Sequence, residues 1–522
     1  MEVMSTKPNL NFKLLGISIT LIVAIFFIKL YAIYSADLLG TVELAIDEAQ
    51  YIFWSTRLEW GYYSKPPFIA WILSPIGTFC NQTEFHCYRT LQPVAFLLTS
   101  IVCIACTHQI TGKFQPSILS GLLFFSLPIS TFYSQFATTD SWLLFFWSLS
   151  LYFFILSLKS AKLVYFLLCG ITIGMGLLTK YSMVFFCIPL LLFFFSQNKK
   201  ISKSTYVLFL TVTLVFSPNI LWNFSENFPT ISHHIEMTTL ERGVKFDINS
   251  LFEFIIGQFV IFNPIVFSIF IISLFQSRTI HCPNYFFQKK VFPLSKINLS
   301  HLLLICFALP LLITVIFLSL IGETEINWAS PISIVICIYI GVLVSLEKRK
   351  IRKKVFNTAL TSALLLNLLF LAVFLNGPRL AKYFEIKYST NINPFSQVEG
   401  YSQLANIIKK DFFFNQKGII SSNDRGILAT LSIYLPTHRV RSIEKNKIHN
   451  HWDLKYKLTE AESIEKILVV LWVKNDYKTI SNAISRLQRR FNVVSVISSK
   501  NIDNLTIGGR KDKKLVIAWV NQ

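Results

Sequence analysis

The residues of this sequence with the clearest chemical potential lie between its first two apolar segments. The neighbouring acids Asp47 and Glu48 are followed by Lys65, which precedes the pair Pro66-Pro67. A carboxylate can deprotonate or orient an attacking group. A lysine presented on a stiff proline turn can hold a phosphate and stabilise charge on a leaving group. These residue types favour transfer chemistry, with Asp47 and Glu48 as candidate catalytic acids and Lys65 as a candidate phosphate-binding residue.

Further charged, polar and aromatic side chains adjoin the apolar segments. Charged groups at membrane depth are costly, so such residues are candidates for function. The additional phosphate-binding candidates are the cations Arg89 and Lys180. The candidates for lining a substrate are Tyr51, Tyr63, Asp140, Asn223, His233, His234, Asn327 and Trp328. Taken singly, such residues equally suit helix caps or headgroup anchors, and it is their recurrence on one predicted side of the bilayer that favours function.

The elements that must position these residues are predicted to be membrane helices. The chain of 522 residues is 53% hydrophobic and only 15% charged, whereas globular proteins have about 25% charged residues. Apolar runs of spanning length occur at 13–34, 91–110, 115–134, 139–158, 163–179, 182–196, 205–223, 251–275, 301–321, 329–346 and 355–376. The first run is long and lacks a small-residue cleavage site, so we expect a span rather than a cleaved signal. A soluble enzyme, a disordered chain and a disulfide scaffold are excluded.

The loops between the runs predict the orientation of the chain. Basic residues concentrate in alternate loops, most strongly in 347–354, and such loops face the cytoplasm. We therefore expect a multi-pass membrane protein with a cytoplasmic N-terminus and a C-terminal part on the outer side. The long outer segment 35–90 is dense in aromatic residues, which predicts interfacial helices lying along the membrane.

The last part of the chain is predicted to fold separately. Apolar positions around Tyr401 and Ile484 recur at helical spacing, and Ile467–Val473, Val493–Ile497 and Leu515–Val520 read as buried strands. The fold expected is mainly α and polytopic, with about 11 or more transmembrane helices at 1–376 and a small extracytoplasmic α/β domain at 377–522. This domain carries 24 Lys and Arg against 12 Asp and Glu, which favours an anionic membrane surface as its partner.

The net charge of +21 is compatible with nucleic acid. Basic loops beside apolar spans account for it better, so membrane lipids and no nucleic acid are the expected partners. An outward-facing enzyme has no supply of ATP or nucleotide sugars. A sugar carried on a lipid phosphate, entering sideways between helices, is therefore the expected donor.

Two cysteines, Cys80 and Cys87, share the first outer loop. In an oxidising compartment they could form a local disulfide or remain two free thiols, and their spacing does not decide between these states. Cys103 and Cys106 form a CxxC inside an apolar helix without further ligands, which argues against a metal or redox role.

Several short motifs occur in the order of a known family. They are Asp47–Tyr51, Gly61–Pro67, Arg89, Thr139–Trp142, Gly174–Tyr181, Trp222-Asn223, Asn327-Trp328 and Glu399–Tyr401. With these motifs the chain resembles the GT-C membrane glycosyltransferases that use polyprenyl-phosphate sugars. The closest groups are the bacterial relatives of dolichyl-phosphate-mannose–protein mannosyltransferases and the aminoarabinose transferases acting on lipid A. Each motif alone is weak, and together they cover most of the chain without specifying the sugar.

The resemblance implies an inverting transfer of a sugar to lipid A or another glycolipid of the cell envelope, on the periplasmic side of the bacterial inner membrane. It implies that Asp47 is the catalytic residue and that Lys65 contacts the donor phosphate. A phosphate acceptor is already ionised, so Asp47 would mainly orient it.

A divalent metal is left open by the resemblance. The aminoarabinose enzymes have a glutamate before the lysine that helps to hold a metal ion, and here that position is Ser64. His233 and His234 could still ligate a metal, with Glu84 or His86 as distant candidates, but we favour a substrate-lining or structural pair.

Two other functions compete with this interpretation. A protein O-mannosyltransferase would use a Ser or Thr hydroxyl as acceptor, and Asp47 would then be a true general base. A transporter or flippase for lipid-linked substrates also needs charged residues, but it would place them mid-membrane on broken helices. A structural or sensor protein would leave the first outer loop unexplained.

Overall fold

The computed structural model describes residues 10–38, 42–195, 203–237, 246–276, 299–322, 324–384, 398–413, 417–444, 447–474, 477–497, 507–508 and 513–521. The chain divides into two compact units. The first comprises Met1–Ala32, Arg89–Phe228 and His234–Gly377, and the second comprises Ile33–Tyr88, Pro229–His233 and Pro378–Gln522. The second unit thus combines the first outer loop with the tail. The predicted boundary between membrane and extracytoplasmic residues at 376 stays a prediction.

The described chain is mainly helical. Its helices are α1 Leu10–Leu38, α2 Ile46–Ser55, α3 Phe68–Leu73, α4 Phe85–Arg89, α5 Leu91–Thr111, α6 Phe114–Ser126, α7 Pro128–Tyr133, α8 Thr139–Ser160, α9 Leu163–Thr179, α10 Cys187–Phe195, α11 Lys203–Ser225, α12 Pro229–Met237, α13 Ile248–Ile261, α14 Pro264–Gln276, α15 Leu299–Ile321, α16 Ile332–Leu346, α17 Lys350–Tyr383, α18 Tyr401–Ile407, α19 Arg425–Tyr434, α20 His451–Lys455, α21 Glu460–Ser463 and α22 Tyr477–Gln488. Short 3₁₀ helices occupy Ser74–Thr78, Tyr181–Phe186 and Ile326–Ala329.

Six helices in the described residues are long and apolar enough to cross a membrane. They are Leu15–Ala36, Phe85–Thr111, Thr139–Ser160, Lys203–Ser225, Leu303–Ile321 and Lys350–Gly377. The pair Ile248–Ile261 and Pro264–Leu274 would make a seventh span if it counts as one, although the two helices meet at a bend of 107°. Five shorter apolar helices accompany them. Within the described residues, every predicted apolar run falls mainly on helical structure, whereas the count of 11 or more crossings stays a prediction.

The bend between α13 and α14 has a local cause. Asn263 adopts a left-handed backbone with φ 66°, and Pro264 has no N–H to continue the preceding helix. The Asn263 side chain then begins α14 by accepting hydrogen bonds from the backbone nitrogens of Ile265 and Val266, at 2.9 and 3.3 Å. Its amide also donates to Asn367 Oδ1 at 2.8 Å, which ties the bend to α17.

The core of the first unit is an apolar cluster drawn from most of its helices. Lys29 of α1 is a buried cation beside this cluster and has no solvent exposure. Its ammonium group donates to the Phe125 carbonyl oxygen at 2.9 Å and to Ser130 Oγ at 2.8 Å. These bonds stabilise the break between α6 and α7, where Pro128 begins the second helix.

The sheet of the second unit has five strands, β1 Ile419–Ser422, β2 Arg439–Ser442, β3 Ile467–Lys474, β4 Val493–Ile497 and β5 Lys513–Asn521. Their order is β2-β1-β3-β5-β4, with β1 parallel to β2 and β3 and with β5 antiparallel to β3 and β4. Apolar side chains from the sheet, from α22 and from the adjoining residues Ile443 and Phe491 form its core.

The structure confirms the small α/β fold of the tail and corrects two details. The three strands predicted from apolar runs are present, but Val493–Ile497 is an edge strand with Val493 53% exposed rather than buried. An edge strand has a neighbour on one side only and is therefore less covered. The strands β1 and β2 were missed, because four residues are too short to give a periodic signal.

Candidate active site

Asp47 and Glu48 lie side by side in the first turn of α2, but their carboxylates have different surroundings. Glu48 is buried, with 1% exposure, and its Oε2 accepts a hydrogen bond from the backbone nitrogen of Ala45 at 3.1 Å. This contact satisfies an N–H group at the start of the helix, as expected for an acid at its third position. The Asp47 side chain is 48% exposed. Of the two candidate catalytic acids, Asp47 is therefore the one that an external group can reach.

The partner of Asp47 is an arginine of the tail. Arg425 Nη1 lies 2.8 Å from Asp47 Oδ1, and the Arg425 side chain is 44% exposed. Arg425 is the first residue of α19, which Asp424 caps by accepting a hydrogen bond from the backbone nitrogen of Ile427 at 3.0 Å. The Asp47 carboxylate raises the pKa of the Arg425 guanidinium, so the arginine is permanently charged.

Polar and steric contacts fix the segments around this pair. Glu43 caps α18, because its carboxylate accepts from the backbone nitrogens of Gly400 at 3.2 Å and Ser402 at 3.0 Å. A Cβ on Gly426 would lie 3.0 Å from Ile46 Cδ1 of α2 and 2.8 Å from the Tyr401 hydroxyl. The start of α19 therefore approaches α2 as closely as a glycine allows.

Aromatic residues pack the segment between α2 and Lys65. The rings of Trp54 and Tyr62 stack 4.2 Å apart, and both meet the ring of His451 edge to face. Burial, together with the nearby cations Lys455 and Arg57, lowers the pKa of His451 to about 3, so this ring is neutral at physiological pH. Burial raises the pKa of Tyr62, and its hydroxyl donates to the Arg57 carbonyl oxygen at 3.0 Å. This cluster is a rigid support rather than an acid–base group.

Other predicted site residues of the second unit lie beside this support. Tyr63 is buried, its hydroxyl donates to the Ile448 carbonyl oxygen at 3.0 Å, and its ring lies 5.1 Å from that of His233. Tyr51 is buried on α2 against Trp54. Lys65 is half-buried, and its carbonyl oxygen accepts from the Tyr62 nitrogen at 3.0 Å. The side chain of His234 lies outside the described residues.

In the first unit, Asp140 and Lys180 form an ion pair. Lys180 Nζ lies 2.8 Å from Asp140 Oδ1, with side-chain exposures of 17% and 8%. Asp140 is in the first turn of α8, where a negative charge complements the helix dipole. Lys180 ends α9 in an extended conformation, with φ −155° and ψ 130°. The acid and cation that the sequence marked on separate segments are thus direct partners.

The remaining predicted residues of the first unit occupy several surroundings. Asn223 is buried on α11 and donates to the Asn219 carbonyl oxygen at 3.0 Å, while Tyr181 donates to Asn219 Oδ1 at 3.1 Å. Arg89 is buried, with its guanidinium 5.6 Å from the centre of the Phe136 ring. Asn327 and Trp328 belong to the 3₁₀ helix before α16, and Trp328 packs against the core. Their contact with a substrate stays a prediction.

The described residues contain one cluster of three potential metal ligands. Cys80, Glu84 and Cys87 lie close together, but the two cysteines are joined in a disulfide. A disulfide sulfur is not a thiolate ligand, so one carboxylate remains and the cluster does not suit a metal. The open question of the two cysteines is settled in favour of the disulfide, and the metal requirement stays a prediction.

Sequence reasoning missed Arg425 and the capping role of Glu43. Asp424-Arg425-Gly426 reads as an ordinary loop, and nothing local distinguishes its arginine from the other basic residues of the tail. The one local signal is Asp424, because an aspartate is a preferred N-cap residue at the start of a helix. It predicts a capped helix, but not the partner 378 residues earlier in the chain.

Comparisons with known proteins find a matching family model and two related sequences. The family model for dolichyl-phosphate-mannose-protein mannosyltransferase matches residues 64–222. Lipid A galacturonosyltransferase RgtD from Rhizobium johnstonii is 30% identical over 236 residues, which are 42% of this chain and 47% of the relative. Lipopolysaccharide core galacturonosyltransferase RgtB from the same organism is 32% identical over 142 residues, 27% of this chain and 28% of the relative. The matches thus span less than half the length of these curated relatives.

The fold is similar to a solved structure along nearly the whole chain. ArnT from Cupriavidus metallidurans in the apo state superposes with a TM-score of 0.61 at 12% sequence identity, covering 97% of both chains. The apolar helices and these relatives indicate a multi-pass membrane protein. The matched family model, the two transferases and the shared fold together support the resemblance of this chain to the GT-C membrane glycosyltransferases.

Proposed function

We propose that this protein transfers a sugar from a polyprenyl-phosphate donor to lipid A or another lipopolysaccharide glycolipid on the periplasmic side of the inner membrane. Similarity to transferases named for lipid A and the lipopolysaccharide core supports the acceptor class. The observation that carries the proposal is the half-exposed Asp47 carboxylate, held at the start of a packed helix within a GT-C fold.

The reaction proposed at Asp47 is a displacement at the anomeric carbon of the sugar. An acceptor oxygen forms the new bond to this carbon, and the bond to the carrier oxygen breaks with its electron pair passing to the polyprenyl phosphate. A hydroxyl acceptor gives its proton to Asp47, whereas an ionised phosphate acceptor has no proton to lose and is only oriented. Glu48 caps α2 and keeps the Asp47 turn in place.

Lys65 is proposed to stabilise the leaving phosphate. It follows the aromatic support and precedes Pro66-Pro67, and a fixed cation favours the charge that develops on a departing oxygen. Lys180 and Arg89 remain candidates for donor-phosphate contacts in the first unit. There, Asp140 already compensates the charge of Lys180.

The sugar to be tested first is a galacturonosyl group, because both curated relatives are named for its transfer. Mass spectrometry of lipid A and core oligosaccharide should be compared between a gene deletion, the deletion complemented with the wild-type gene, and the parent strain. We expect one sugar residue to disappear on deletion and to return on complementation. An unchanged lipid A, core and glycan profile would contradict the proposal.

The purified protein provides a second test. Incubated with polyprenyl-phosphate sugar and lipid A in detergent, it should form glycosylated lipid A and release polyprenyl phosphate in equal amounts. Repeating the assay with EDTA and then with added Mg²⁺ tests the metal requirement separately. A reversible loss of turnover on chelation would show that a divalent metal is needed.

The family model favours one second candidate, a protein mannosyltransferase. In that reaction the acceptor is a Ser or Thr hydroxyl, so Asp47 must act as the base. Mannosylated envelope proteins that are lost on deletion, with lipid A unchanged, would support this alternative over the glycolipid acceptor.

A further inference from the structure

The ion pair of Asp47 and Arg425 joins two segments of the second unit through one hydrogen bond. Among the described residues, the bond from Nη1 to Asp47 Oδ1 is the hydrogen bond that this guanidinium makes. Both side chains are close to half exposed. The pair therefore lies where an acceptor can approach the carboxylate, and the arginine constrains one of its two oxygens.

Both ends of the pair are attached to elements that pack tightly. On one side, Glu48 fixes the first turn of α2. On the other side, Asp424 caps α19. Gly426 lets α19 approach α2 so closely that a Cβ at this position would lie 3.0 Å from Ile46 Cδ1. Because neither helix end can shift independently, the arginine can hold the carboxylate in one orientation.

The pair itself contributes little to the stability of the fold. Exposed ion pairs with a single contact have small net energies, because water screens the charges and two side chains lose freedom. Buried apolar side chains account for the packing of α19, since Ile427, Leu428 and Leu431 have no exposure. A stabilising role therefore does not explain why a cation lies here.

Acidic groups lie near the pair as well. Asp424 and Tyr51 lie near the guanidinium, and Glu48 adjoins Asp47 on the same turn. Loss of Arg425 would remove a positive charge and a hydrogen-bond donor from the Asp47 carboxylate, which favours its protonated form and weakens the control of its orientation. A carboxylate that orients or deprotonates an acceptor must be ionised and correctly aimed.

We propose that Arg425 is a positioning residue of the active site: it holds the Asp47 carboxylate ionised and in one orientation for the acceptor. The tail thereby contributes to catalysis through Asp47. This inference rests on the proposed function of Asp47 in glycosyl transfer.

Kinetics of Arg425→Gln and Arg425→Lys test the inference. We expect Arg425→Gln to lower kcat about 10- to 100-fold, the loss typical of a misplaced catalytic group, with the KM for the donor changed less than about threefold. Arg425→Lys should recover part of kcat. The matched control is Arg439→Gln, because Arg439 is a 46% exposed arginine of the same unit that pairs with Glu465. This control should keep wild-type kinetics.

Infrared titration tests the same inference without turnover. The protein is labelled with carbon-13 at its aspartate carboxyl groups. Subtracting the infrared spectrum of equally labelled Asp47→Asn protein isolates the absorption band of Asp47. We expect its protonation midpoint to rise by about one pH unit in Arg425→Gln and to stay unchanged in Arg439→Gln. A midpoint that does not move, or wild-type kcat in Arg425→Gln, would overturn the inference.

The two proposals fail in distinguishable ways. If Asp47→Asn transfers sugar at the wild-type rate, or if the wild-type protein transfers none, the proposed function is wrong, whatever the infrared result. If Asp47 is required and Arg425→Gln behaves as wild type in both measurements, only the inference about Arg425 is wrong.

Discussion

The two units of the molecule each contain an ion pair of the same length with a different degree of burial. Asp140 and Lys180 in the first unit lie 2.8 Å apart with exposures of 8% and 17%. Asp47 and Arg425 in the second unit are also 2.8 Å apart, but with exposures of 48% and 44%. Equal distances therefore do not imply equal roles.

Burial determines what each pair can do. A charge removed from water has lost its hydration, so taking away its partner leaves an uncompensated charge at a large cost. An exposed pair loses little when it is broken, because water replaces the partner. The buried pair is therefore expected to matter mainly for folding, and the exposed pair mainly for chemistry.

The largest expected effect is the loss of catalysis when Asp47 of the exposed pair is replaced. Asp47→Asn should lower kcat by about 10²- to 10⁴-fold, the range for loss of a general base or orienting acid, with membrane insertion unchanged. Glu48→Gln is the control, since it changes an adjacent carboxylate that caps α2. It should retain most activity in the same assay. Equal losses in both variants would contradict the distinct roles of these acids.

The next largest expected effect is the loss of protein stability when the buried pair is broken. Lys180→Met should lower the free energy of unfolding by about 3 to 5 kcal/mol, because Asp140 is left buried without its cation. Denaturation in detergent would measure this loss. The double variant Lys180→Met with Asp140→Leu should recover much of it, since no buried charge remains. A double variant as unstable as the single one would argue against the buried-charge explanation.

A smaller effect is expected where α19 meets α2. Gly426→Ala should lower the free energy of unfolding by about 1 to 3 kcal/mol, the usual cost of overpacking, because the new Cβ approaches Asp424, Tyr401 and Ile46 within about 3 Å. Gly77→Ala is the matched control, where the nearest atom is the Tyr88 hydroxyl at 3.4 Å. Thermal unfolding of both variants checks the difference, and equal midpoints would contradict the close packing.

The smallest effect is the stability change in Arg425→Gln. The variant should lose less than about 1 kcal/mol of unfolding free energy, because both side chains are well exposed. Its unfolding midpoint should match that of Arg439→Gln. A large loss of stability would make the arginine a structural residue and remove the contrast between the two pairs.

Much of the fold could be predicted from local patterns. Long apolar runs gave the helices because a membrane helix needs continuous apolar length, and strands such as Ile467–Lys474 gave a signal by their aliphatic content. The short strands Ile419–Ser422 and Arg439–Ser442 were missed, because their formation depends on pairing with each other and with β3.

The sequence by itself determined the residue types available for chemistry: Asp47, Lys65 and Lys180 stand beside apolar segments whatever the fold. It also determined the helical class, because side chains of this apolar character leave few other ways to bury backbone polar groups. Only the tertiary structure decided that Glu48 turns inward while Asp47 stays exposed, and that Arg425, 378 residues later in the chain, pairs with the Asp47 carboxylate. The physical reason is that burial and charge pairing depend on contacts between distant segments, which residue order alone does not specify.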